Sequence, residues 1–113
     1  MKTTELMIGD KVMVKVLSQI PNTYVLHTWT ANDYSRDFQV KPIPLTPEIL
    51  EKNGWWYNVE DMWLHEEAGF FIEKFNGRFQ CYDINQIKLY SVHQLQQTLR
   101  LCGLNNLADN FKV

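Results

Sequence analysis

The stretch "GFFIEKFNGRFQCYDI" (Gly69 to Ile84) decides how the second half of this chain folds. At its centre Asn76-Gly77 sits between alternating apolar residues. That pair is the strongest short-range hairpin signal, because a type I′ turn needs two residues that accept positive φ. A two-residue turn there sets the register: Phe75 faces Arg78, Lys74 faces Phe79, Glu73 faces Gln80, Ile72 faces Cys81 and Phe71 faces Tyr82. Alternation along the strands then sorts the side chains. Phe70, Ile72, Phe79 and Cys81 make a core face. Phe71, Glu73, Phe75, Arg78, Gln80 and Tyr82 mix rings with charge, which reads as a half-covered face or a contact surface.

Working outward, "IGDKVMVKV" opens with a Gly9-Asp10 turn, and Val12, Val14 and Val16 alternate with Lys11, Met13 and Lys15. That is a strand with one buried side. Pro21-Asn22 marks a turn, "TYVLHTWT" (Thr23 to Thr30) a second strand, "ANDYSRD" a polar loop and "FQVKP" a third strand. Their closeness in sequence predicts an antiparallel meander. Pro42 and Pro44 stop the strand pattern. Thr46 is a good N-cap, Pro47 suits the first helical position, and Asn53-Gly54 supplies the stop, so "TPEILEKNG" is a short helix.

The end of the chain, "VHQLQQTLRLCG" (Val92 to Gly103), is a longer helix. Ser91 and Gln94 form a capping box before it, and Gly103 closes it. At about 100° per residue, Val92, Leu95, Leu99 and Cys102 share an apolar stripe. His93, Gln96, Gln97 and Arg100 fall on the other side, predicted as an exposed polar face. Leu101 lies about 140° from the stripe and needs cover from the folded-back tail or a partner. The tail itself keeps Leu104, Leu107 and Phe111 at helix-like spacing.

Composition narrows the function classes. The 113 residues suit one domain, 1–113, large enough for its own core. Eleven basic residues are spread against 13 acidic ones, net −2, with no basic run, which weighs against a nucleic-acid binder. No apolar run approaches the roughly 20 residues needed to span a bilayer. Two cysteines without zinc spacing read as reduced thiols of a cytoplasmic protein.

Reactive constellations are few. His93 and Cys102 are nine positions apart, about 180° around the helix, so neither can activate the other. Cys102 reads as inert core. In "WLHEE", HExxH would need a second histidine where Gly69 stands, so a solvated acidic turn is expected. His27 reads as a partly buried residue with a local hydrogen bond. No phosphate loop or nucleophile elbow is present. No residue is assigned to catalysis, a cofactor or a metal. The aromatic cluster "WWY…MW" assigns Trp55 and Trp63 to the core, and at least one of Trp56 and Tyr57 to the surface.

With "IGDKV", "KPIPLTPEILEKNGW" and "VHQLQQTLRLCG", nearly the whole chain resembles a family of short uncharacterised proteins encoded by gut anaerobes of the Bacteroides type and by their phages and mobile elements. The resemblance implies a cytosolic setting and transfers no catalytic or binding residue.

The expected fold is α+β: a strongly twisted antiparallel sheet, open or curled toward a partly open SH3-like barrel, with one short bridging helix and a C-terminal helix packed on it. The expected function is a non-catalytic protein-interaction or assembly module of a phage or mobile element, joining a protein partner or a second copy. Its candidate contacts are Trp56, Tyr57, Phe71, Phe75, Tyr82 and Leu101. The alternative is a nucleic-acid-binding accessory protein reading bases with His93, Gln96, Gln97 and Arg100. A remoter one is a small hydrolase using His65 or His27 with a carboxylate.

Overall fold

A computed structural model describes residues 1–16, 23–36, 38–81 and 87–113. The expected Pro21-Asn22 turn and Tyr82 lie outside these. The first three strands are β1 (Lys11–Val16), β2 (Val25–Thr28) and β3 (Phe38–Lys41). After α1 (Pro47–Lys52) come β4 (Trp56–Tyr57), β5 (Met62–Leu64), β6 (Ile72–Phe75), β7 (Arg78–Cys81) and β8 (Lys88–Leu89). Helices α2 (Val92–Leu101) and α3 (Asn105–Asp109) close the fold. Among the described residues the strands form two antiparallel sheets, ordered β2-β1-β3 and β4-β5-β6-β7-β8, and no closed barrel. The architecture is α+β. Pro42, Pro44 and α1 interrupt the strand pattern between the two sheets, and Pro44 makes only an isolated bridge to Ser91.

The first sheet corrects the expected meander: β1 is central and β3 pairs with it rather than with β2. β1 is the longest of the three, and its Val12 and Val14 are both buried, so the middle place covers both its edges. Val12, Val14 and Val40 pack with Leu6 and Trp29 into a small core. "ANDYS", expected as loop, is a 3₁₀ helix (Ala31–Ser35). It forms because the Asp33 carboxylate accepts from both the backbone N–H (2.7 Å) and the hydroxyl (2.8 Å) of Thr30.

The second sheet carries the larger core. The Asn76-Gly77 hairpin has the expected register from Phe75↔Arg78 to Ile72↔Cys81, with both turn residues at positive φ. Its inner face packs Trp63, Ile72, Phe79 and Leu89 against Leu50 of α1 and Val92, Leu95 and Leu99 of α2. Both main helices end in the same way. Gly54 N–H donates to Glu51 O and Trp55 N–H to Leu50 O, and Gly103 N–H donates to Arg100 O and Leu104 N–H to Leu99 O. These are the paired bonds of a Schellman motif, with buried Trp55 and half-buried Leu104 as the apolar residues beyond each stop. That motif explains a second correction. Cys102 is the C-cap, where the helical rotation ends, so Leu104 continues the stripe and the Cys102 thiol is exposed.

The third correction concerns the other face of α2, which is turned inward onto the Gly9-Asp10 turn. Gln96 is 0% exposed. Its Oε1 accepts from Lys11 N–H (2.8 Å), and its Nε2 donates to Gly9 O (3.0 Å) and Ala108 O (2.9 Å). The Asp10 carboxylate, equally buried, accepts from Met7 N–H (2.9 Å), Gln97 Nε2 (2.7 Å) and Arg100 Nη1. Arg100 Nη2 lies 3.5 Å from Asp109. Gly9 suits this turn because its φ of +95° is one that residues with a side chain rarely adopt, and a Cβ would also press on Arg100 Nη2 at 2.8 Å. One helix therefore joins two cores, apolar on one side and hydrogen-bonded on the other.

Removing one partner of a buried ion pair strands the other charge, at a cost of about 3–5 kcal/mol. Arg100→Ala should lose that much in denaturant unfolding, and Asp10→Asn/Arg100→Met, which removes both charges, clearly less. A loss below about 1 kcal/mol for Arg100→Ala, the range of a surface pair, would show that the pair does not hold the seam.

Candidate contact surface

The helices cover only one face of the five-stranded sheet. Cross-strand pairing places Trp56 with Leu64, Met62 with Glu73, Glu73 with Gln80, Gln80 with Lys88, and Phe75 with Arg78 on the opposite, outer face. Alternation puts Phe71 there too. Trp56 is 45% exposed and Phe75 57%, and Phe71 is also exposed. Beside Phe75, the Arg78 guanidinium lies 5.5 Å from the Tyr90 ring centroid and donates to its hydroxyl at 3.4 Å. Phe75, Arg78, Gln80 and Lys88 line a shallow hollow of about 430 Å³.

The β4–β5 connection adds to this surface. Glu60 and Asp61 both have left-handed backbones, at φ 62° and 58°. Such conformations cost about 1–2 kcal/mol each for a non-glycine residue. They are held by Asn58 N–H donating to Met62 O (2.7 Å) and Lys74 N–H donating to Asp61 O (2.8 Å). Tyr57 lies on the core side of β4, at the sheet edge, with its ring against Trp63. It is exposed there, as is Val59 in the connection.

Trp56, Tyr57, Phe71 and Phe75 are thus surface residues, and Trp55 and Trp63 are core. Leu101 is 83% exposed: the tail does not cover it, and it sits on α2, away from the outer face. Tyr90 and Val59 were missed. The alternation of Ile87 and Leu89 with Lys88 and Tyr90 was a legible sign of the last strand.

The other candidates are structural. His93 (5% exposed), Gln96, Gln97 and Arg100 do not form an exposed reading face, because they pack against or bond to the N-terminal segment. His65 Nδ1 accepts from Glu67 N–H (3.1 Å). The cavity it lines with Trp55, Lys52 and Lys112 has no carboxylate among its lining residues. His27 Nε2 does meet Asp33 Oδ2 at 2.7 Å, but that carboxylate already caps the 3₁₀ helix. Burial pushes the Asp33 carboxyl up, yet the bonds from His27 and Thr30 outweigh it and hold it below the ordinary range. His93 Nδ1 lies 2.9 Å from Ser91 Oγ in a cavity of about 400 Å³ shared with Glu5 and Tyr90. A serine beside an imidazole can be a nucleophile pair. Here Ser91 is the N-cap of α2, and among the described residues no carboxylate bonds to the imidazole. Among those residues, too, no group of three His, Cys, Asp or Glu side chains can hold a metal, and no helix is long and apolar enough to cross a membrane.

No protein-family model, curated protein or solved structure matches this chain.

Burial holds the His93 imidazole below its ordinary value of 6.5, partly offset by Asp10 and Glu5. Below pH 6.5 the unfolded chain therefore takes up a proton that the folded one resists, and stability falls with pH until the folded imidazole also titrates. Asp33 acts in another window, because its lowered folded value withdraws stability only below about pH 3.8. Melting midpoints from pH 7.5 to 5.5 should drop in the wild type and drop less in His93→Asn. Equal slopes would contradict this role of His93.

Proposed function

We propose that this chain is a protein-interaction module whose contact surface is the outer face of the five-stranded sheet. The supporting observation is that this face is uncovered and bears Trp56, Phe71 and Phe75, with Arg78 stacked on Tyr90 at its edge. Trp, Tyr and Arg are the residue types that dominate measured binding energies, while Glu73, Gln80 and Lys88 supply polar partners among them. Burying a large apolar side chain yields about 1.5–3 kcal/mol. Three such rings, already partly covered, give at most roughly 5–9 kcal/mol before the cost of association. That magnitude suits a reversible partner better than a permanent one. The partner is another protein or a second copy of the chain. The Cys102 thiol lies at the surface, and an exposed thiol suits a reducing, cytoplasmic setting. A phage or mobile-element context rests on the sequence resemblance alone.

Trp56→Ser and Phe75→Ser, singly and together, test this surface. Surface changes of this kind should alter stability by no more than about 0.5 kcal/mol. The double variant should weaken self-association in sedimentation, or capture of a host protein, by tenfold or more. Unchanged sedimentation and unchanged capture would remove this face from consideration.

A further inference from the structure

The three-stranded sheet carries a second surface of different character. Lys11, Met13 and Lys15 of β1 point to one side, where Lys11 pairs with Thr28, and Met13 with Leu26 on β2 and Lys41 on β3. No carboxylate stands among the described residues of that side, and none of the three lysines forms an ion pair with any described residue. The ammoniums of Lys15 and Lys41, from different strands, converge on the Tyr24 ring, at 5.2 and 4.2 Å from its centroid. They can be no further apart than those two distances allow. Two like charges are thus held around one aromatic ring with no counter-charge among the described residues, a place that an anion would fill. Met13, between Lys11 and Lys15, packs against the larger core, and Leu26 is the exposed apolar side chain of this face.

The composition conceals this, because the charge is unevenly spread. Residues 1–41 hold five basic and four acidic residues, while residues 42–113 hold six and nine. Of the four acids, Asp10 and Asp33 are buried and bonded to Arg100 and His27. The protein is 47 Å long, and charges are screened beyond about 8–10 Å at physiological salt. Acidic residues at the far end of the second half therefore weigh little at a site on the first sheet.

We propose that this lysine-bearing face binds single-stranded nucleic acid. The ammoniums would meet phosphates, and Tyr24 would offer a ring for a base, the pairing of charge and stacking that single-strand sites use. Lys11 and Lys15 lie about 13 Å apart along the strand, room for roughly four stacked nucleotides at 3.4 Å each. An anionic membrane could use the charges but would gain nothing from the ring. The site lies on the other sheet from the proposed protein-contact face, so either can fail without the other.

The test is fluorescence anisotropy of a labelled oligothymidylate of about 12 nucleotides, titrated at low and rising salt. Wild-type protein should bind with a log–log salt slope near −2, from three lysines at about −0.7 each. Lys15→Gln/Lys41→Gln should bind at least tenfold more weakly, with the slope reduced to about −0.7. Tyr24→Leu should weaken binding about tenfold with the slope unchanged. Absence of binding at low salt, or equal binding by Lys15→Gln/Lys41→Gln, would overturn the proposal. So would lysine-dependent binding to phosphatidylserine vesicles by a protein that ignores the oligonucleotide.

Discussion

The buried hydrogen-bond network between α2 and the Gly9-Asp10 turn is the constraint on which the rest of the structure depends. Two cores, one under each sheet, meet at α2, and Met13 of β1 packs against the larger one. Gln96 uses both donors and its oxygen on two separate backbone segments, the turn at residues 9–11 and Ala108, and the Asp10 carboxylate accepts three bonds. A buried polar group left unsatisfied costs about 1–3 kcal/mol, and more for a charge. The network therefore favours one docking of the two parts and penalises others that leave any member unpaired. In this light "IGD" and "QQTLR", far apart in sequence, are two halves of one joint.

That joint also decides which surfaces remain for partners. Both broad sides of α2 are occupied, one by the larger core and one by the network, so the helix presents little beyond Leu101 and the exposed Cys102. The areas left are sheet faces: the aromatic outer face of the five-stranded sheet and the part of the lysine face of the three-stranded one that Met13 does not dock onto the larger core. They differ in chemistry because they lie on different sheets, joined through a helix that contributes to neither. A small chain can in this way present an apolar contact and a cationic one without the two neutralising each other.

What was legible in the sequence is what local chemistry determines. Asn76-Gly77 dictated the hairpin register, Thr46-Pro47 and Ser91…Gln94 the helix starts, and Gly54 and Gly103 the stops. Each signal acts within about four residues of itself. The errors arose where a partner is distant in sequence. The polar side of α2 looks solvated by periodicity alone, yet its hydrogen-bond partners in the N-terminal segment lie 85 to 92 positions away, and Ala108 lies 12 away. Cys102 was misplaced for a local reason: the 100° rule was carried one residue past the cap. The order β2-β1-β3 was hidden because closeness in sequence favours a meander, whereas burial of Val12 and Val14 favours the centre. The basic face escaped detection because its lysines come from two strands and form no run.

Native-state hydrogen exchange on Gln96→Ala tests the joint most directly. Amides of β1, above all that of Lys11, should lose protection while those of β6 and β7 keep theirs, because the first sheet loses its attachment without its partner core unfolding. Unchanged protection of the Lys11 amide and its β1 neighbours in that variant would contradict this role of the joint.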